Sequence, residues 1–146
     1  MKARALVVAA LLLAIPGMAA AKDAIKHYPF ANAVTAATKS GKLDGTVKFY
    51  LHGSNPQSQV EVIKSDVSVN RKTNAFGKAD QSTCDWALQS ALIALQGEAK
   101  AVGANAVVDI VSDYGDEYSD PEKYECHVGF LISGVIMKGK LAKVQP

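Results

Sequence analysis

The sequence predicts an α+β domain of two layers, with one long helix packed on a mainly antiparallel sheet and a short helix near the N-terminus. Three observations carry that expectation. STCDWALQSALIALQGEAKAVG repeats its apolar residues at helical spacing, with Cys84, Leu88, Ala91, Leu92, Leu95, Ala99 and Val102 in one stripe. Short β-branched segments lie on both sides of it, and the last of them, KYECHVGFLISGVIMKG, alternates apolar and polar residues. The helix stripe and a sheet face built from Tyr124, Val128, Phe130, Ile132, Val108 and Ile110 would together make a two-layer core.

The first residues lie outside that domain. Lys2 and Arg4 precede an unbroken apolar run from Ala5 to Ile15, then Pro16-Gly17 and the small residues Ala19, Ala20 and Ala21. This is the layout of a cleavable signal peptide, residues 1–21, and the run is shorter than the roughly 20 apolar residues a membrane-crossing helix needs. Cleavage after Ala21 gives a periplasmic, secreted protein starting at Lys22, residues 22–146, of about 125 residues and one domain. No cysteine lies near the cleavage point to take a lipid, so no stable membrane anchor is expected after cleavage.

Charge excludes one large class of partner. The chain has 16 basic and 14 acidic residues, and the excess is Lys2 and Arg4 of the signal peptide. A domain balanced in charge lacks the phosphate-neutralising bias of nucleic-acid binders.

Along the mature chain, KDAIKHY reads as an extended lead-in, and Pro29 opens a short helix from about Phe30 to Thr38. Thr46 to Leu51 is a strand between Gly45 and Gly53, and residues 52–58 form a loop. QVEVIKSDVSVN is one irregular strand, or two joined at Lys64-Ser65-Asp66, and residues 71–80 form an exposed loop.

Ser82 and Asp85 fit a capping pattern and Gly103 a helix stop, so the long helix is expected from about Thr83 to Val102. Trp86 and Ile93 flank its stripe, and Gly97 inside it suggests a close packing or subunit contact. Residues 105–112 read as a mostly buried strand. The terminal strand bends near Gly129 or Gly134.

Strand alternation assigns roles within YECHVGF. Tyr124, Cys126, Val128, Phe130, Ile132 and Ile136 share one face, and Glu125, His127, Gly129, Leu131 and Ser133 the other. Val108 and Ile110 join the first set to complete a sheet face under the helix. Cys126 therefore points into the core, as does Cys84 at the head of the helical stripe, and a disulfide between them suits an oxidising compartment.

Other candidate sites are thin. His127 with Glu125 is the best metal-ligating pair, and the acids Asp113, Asp116, Glu117, Asp120, Glu122 and Glu125 are dense but lack the spacing of a calcium loop. A solvated loop is the expectation there. There is no G-x-S-x-G elbow and no phosphate-binding loop, so the chain reads as a non-enzyme without a cofactor.

The segments NRKTNAFGKAD, CDWALQSALIALQGEAKAVGANAVVDIVS and YECHVGFLISGVIMKG resemble a family of small exported proteobacterial proteins of unknown function that often carry the label excinuclease ATPase subunit. That label implies ATP hydrolysis and DNA repair, for which this sequence has neither a phosphate loop nor paired cysteine motifs. More distantly, the GANAVV junction resembles the Rcs stress-sensing outer-membrane lipoprotein and small heavy-metal-binding proteins. The lipoprotein has a disulfide from a helix start to a later strand, which Cys84 and Cys126 would reproduce, but this chain lacks its lipidation cysteine and second disulfide. The resemblance implies the α+β fold and a role as a binding module in an envelope response, with an envelope protein or a second copy as partner.

Overall fold

A computed structural model describes residues 23–146, and the expected signal peptide lies outside them. The described chain is α+β, with two helices and a curled mixed sheet. Its elements in order are β1 (Ala24–Pro29), α1 (Phe30–Lys39), β2 (Lys48–Leu51), β3 (Val60–Asn74), α2 (Asp80–Ala101), β4 (Ala106–Asp113), β5 (Glu117–Tyr118), β6 (Lys123–Val128) and β7 (Ile132–Val144).

β7 organises the sheet. One of its edges pairs antiparallel with β3 from end to end, and its other edge is shared by β6 at residues 133–134 and β4 at residues 137–142. β1 extends the sheet beyond β6, while β2 adds a parallel partner to β4. The lead-in before Pro29 is thus a strand, since pairing with β6 satisfies backbone groups that local sequence leaves open.

α2 buries Cys84, Ala87, Leu88, Ala91, Leu92, Leu95 and Ala99 in one cluster with Val67 and Val69 of β3, Val135, Met137 and Leu141 of β7, and Tyr124 and Cys126 of β6. At about 25 cal/mol per Å² of apolar surface removed from water, this seam is the main stabilising feature of the domain. The helix-to-sheet contact also carries a buried polar pair, Thr83 Oγ1 with Ser133 Oγ at 2.8 Å. Thr83 Oγ1 also donates to Asp80 O at 3.0 Å, so it accepts from the Ser133 hydroxyl.

Several boundaries differ from the sequence expectation, each for a tertiary reason. β3 runs on to Asn74, so residues 71–74 are strand rather than loop, because β7 lies alongside to accept them. The Lys64 to Asp66 region is one irregular strand with register shifts. α2 begins at Asp80 with Ala79 as its N-cap and no side-chain cap, so Ser82 lies inside the helix and Asp85 bonds elsewhere. At the other end Gly103, at φ 75°, donates to Lys100 O while Ala104 donates to Ala99 O, the double bond of a Schellman stop. Val102, at this frayed end, is exposed.

The terminal strand is two strands. The chain turns at residues 129–131, where Gly129 N–H donates to Ile132 O at 2.8 Å, and it reverses into β7. A reversal resets the alternation, so Phe130 and Ile132 are exposed instead of sharing the buried face of Tyr124. Val108 is also displaced from the main core: it is buried with Ala106 and Ala142 in a separate cluster, whereas Ile110 stays under α2.

Gly97 makes no close contact, for a Cβ added there meets nothing within 4 Å. The packing contact expected of it is absent among the described residues. Gly97→Ala should therefore raise stability by up to about 1 kcal/mol, by helix propensity and a less flexible unfolded chain. A urea midpoint that fails to rise would show a hidden cost at this position.

Candidate functional site

The face of the sheet turned away from α2 holds two side-chain groups. The first is centred on Glu125, which β1 and β6 register places directly opposite His27. His27 Nε2 donates to Glu125 Oε2 at 3.3 Å, and His127 Nε2 donates to Oε1 at 2.9 Å. One carboxylate thus joins two imidazoles.

Each imidazole also carries a tyrosine ring. Tyr114 stacks on His127 with centroids 3.8 Å apart, and Tyr118 stacks on His27 at 4.1 Å. Both tyrosines come from the acidic segment after β4, which folds back over the sheet through β5 while Asp116, Glu117 and Glu122 stay exposed, as expected of a solvated loop. Asp120 in that segment ties its own turn, accepting from the N–H groups of Glu122 and Lys123, and those bonds hold its pKa below the usual carboxylate value. The sequence pairing of His127 with Glu125 is present, and His27 joins them.

The second group surrounds Asp109. β4 is bulged here, pairing Val108 with Lys140 and then Val111 with Lys138, so the residues between have no regular partner on β7. Gly139 lies opposite, where an added Cβ would sit 3.1 Å from Val107 Cγ1 and 3.2 Å from Val108 O. A side chain at this position would crowd β4, so its neighbours would have to shift to admit one.

Asp109 is the one described non-glycine residue with positive φ, at 53°. Left-handed backbone costs an L-residue roughly 1–2 kcal/mol, and aspartate is among the residues that tolerate it. Three neighbours hold it. Asn55 Nδ2 donates to Oδ1 at 2.6 Å while Asp109 N–H donates back to Asn55 Oδ1 at 3.1 Å. His52 Nδ1 reaches Oδ1 at 3.2 Å, Lys140 Nζ reaches Oδ2 at 3.0 Å, and His52 N–H donates to Ile110 O.

The Asn55 bond, with further help from Lys140 and His52, keeps the Asp109 carboxyl below its ordinary pKa although partial burial opposes this. Beside it opens a depression of about 460 Å³, lined by His52, Asp66, Asp109, Glu117, Lys138 and Lys140 among others. It presents acids and cations together. Sequence reasoning passed over Asp109 inside NAVVDIVS, where a lone acid in an apolar run was the available signal.

Beneath the sheet, Cys84 and Cys126 form a disulfide, with Cα atoms 5.9 Å apart. No free cysteine remains among the described residues. Next to it Tyr124, fully buried, donates to Asp85 Oδ1 at 2.6 Å. Burial raises the pKa of Asp85 above the ordinary carboxylate value, and the Tyr124 bond partly offsets this.

No family model, characterised protein or solved structure matches the chain. Its chemistry is therefore read from its own geometry. Among the described residues, no group of three His, Cys, Asp or Glu is arranged to hold a metal ion, and no helix is long and apolar enough to cross a membrane.

Proposed function

We propose that the chain is an exported, non-enzymatic binding module of the cell envelope, and that the depression beside Asp109 is its recognition site. The observation that supports this most is the left-handed Asp109, held by His52 and Asn55 of the loop after β2 and by Lys140 of β7. Strained backbone persists where its surroundings over-determine it, and such positions concentrate at ligand sites. Acids and lysines lining one depression suit a small ligand with both signs of charge, such as a peptide terminus or an amino acid. The envelope-response role rests on the resemblance alone.

Calorimetry of the exported protein with a panel of zwitterionic dipeptides tests this reading. Saturable heat is expected, weakened at least about tenfold in Asp109→Asn, which tolerates the same backbone but loses the charged contact with Lys140. The absence of saturable heat, together with an empty pull-down from envelope extracts, would remove the reading.

A second reading, a metal-binding protein using His127 and Glu125, is favoured by the two imidazole nitrogens that meet the Glu125 carboxylate. A metal there must replace both hydrogen bonds. Zinc or copper heat that disappears in Glu125→Gln would support it, and titrations without heat would end it.

A further inference from the structure

The domain leaves one end of its sheet apolar and uncovered. Ala75 N–H donates to Leu131 O at 2.8 Å, which joins the end of β3 to the turn between β6 and β7. This brings Phe76 and Phe130 edge to face, with centroids 5.4 Å apart. Phe130 is 73% exposed, Leu131 60%, Phe76 59% and Ile132 53%. Four large apolar side chains from two adjacent turns thus project from one extremity.

We infer that this tip docks reversibly on an anionic lipid surface. Three observations select that occupant. Lys72 lines the groove among these residues, Lys78 follows Phe76 by two positions, and neither is in an ion pair among the described residues. Apolar side chains rimmed by cations match the layering of acyl chains beneath acidic headgroups.

Area is the second. The four side chains expose on the order of 450 Å², against about 800 Å² per partner in a stable protein interface. That is too little for a lasting dimer and enough for shallow insertion.

The third is the position of the chain entry. Asp23 begins the described chain with its carboxylate against Gly129, at the base of the same turn. Residues 16–22 are all that separate it from the apolar run ending at Ile15, a reach of at most about 25 Å when extended. While an export signal in the bilayer stays attached, the tip is held at the membrane. After cleavage the contact becomes a weak, peripheral one.

Co-sedimentation of the exported protein with vesicles tests this, using wild type and variants with the same N-terminus. Wild type should pellet with phosphatidylethanolamine–phosphatidylglycerol vesicles, and less so with pure phosphatidylcholine or at raised salt. Binding should fall at least about tenfold in the double variant Phe130→Ser, Leu131→Ser. These exposed substitutions should leave the urea midpoint near that of wild type. Lys72→Glu with Lys78→Glu, which keeps the four apolar side chains of the tip, should selectively weaken binding to the anionic vesicles.

Wild type that stays in the supernatant with both vesicles would overturn the inference, as would tip variants that pellet like wild type. A dimer that the Phe130 and Leu131 substitutions dissociate, without vesicle binding, would assign the tip to a second copy instead. An envelope protein captured only through Phe130, again without vesicle binding, would assign it to that partner. A failed dipeptide titration bears on the Asp109 depression and leaves this result unaffected.

Discussion

Replacing Cys84 and Cys126 together by alanine is expected to lower the unfolding free energy by about 4 kcal/mol, the loop-entropy value for a crosslink spanning 42 residues. The bond joins the N-terminal part of α2 to β6, elements far apart in sequence, so without it the unfolded chain regains the freedom of everything between them. Both sulfurs are fully buried, and the small voids left by alanine add to the loss. The denaturant slope should rise as well, because an uncrosslinked chain exposes more surface when it unfolds. Urea titrations of the oxidised protein and the double variant measure both quantities. A loss below about 1 kcal/mol would mean that native strain cancels the constraint.

That disulfide was legible from sequence because each half depends on a local period. Cys84 stands at the head of a 3.6-residue stripe, Cys126 stands on the apolar face of a 2-residue alternation, and both periods survive into the structure. Alternation failed where the chain does something non-local. At residues 129–131 the strand reverses, which turns Phe130 from an expected core residue into the most exposed apolar side chain of the domain. At Asp109 a bulge separates Val108 from Ile110, close against Gly139 on another strand.

The candidate site shows the same division. Glu125 and His127 fall on one face by alternation alone, so their pairing could be read in advance. His27 reaches them through the register of β1 against β6, while His52 and Asn55 of one loop and Lys140 of β7 reach Asp109 from two separate segments. Contacts of that kind leave no periodic trace. The acidic segment was legible in part: its carboxylates drew attention, whereas Tyr114 and Tyr118 attach it to the sheet.

Tyr124→Phe should cost about 1.5–3 kcal/mol at neutral pH, the range for a hydrogen bond to a charged group. The ring remains, so packing around this fully buried side chain is kept, and only the hydroxyl that donates to Asp85 at 2.6 Å is lost. The sign of the pH dependence follows from which form of Asp85 the native state prefers. Burial raises its folded pKa above 3.8, so ionised Asp85 weighs against the fold at neutral pH and the hydroxyl offsets part of that weight. Removing the hydroxyl raises the folded pKa further. The penalty is therefore fully present above the variant's folded pKa, shrinks as pH falls through it, and levels off below the wild-type folded pKa, where Asp85 is neutral in both folded proteins; the unfolded pKa is common to both and cancels. Other carboxylates titrate alike in both proteins and cancel in the difference. Urea midpoints of wild type and variant measured from pH 3 to pH 7 should accordingly converge toward acid. A constant gap would place the cost in packing, and no gap at pH 7 would mean that the Tyr124 hydroxyl contributes nothing to the joint beside the disulfide.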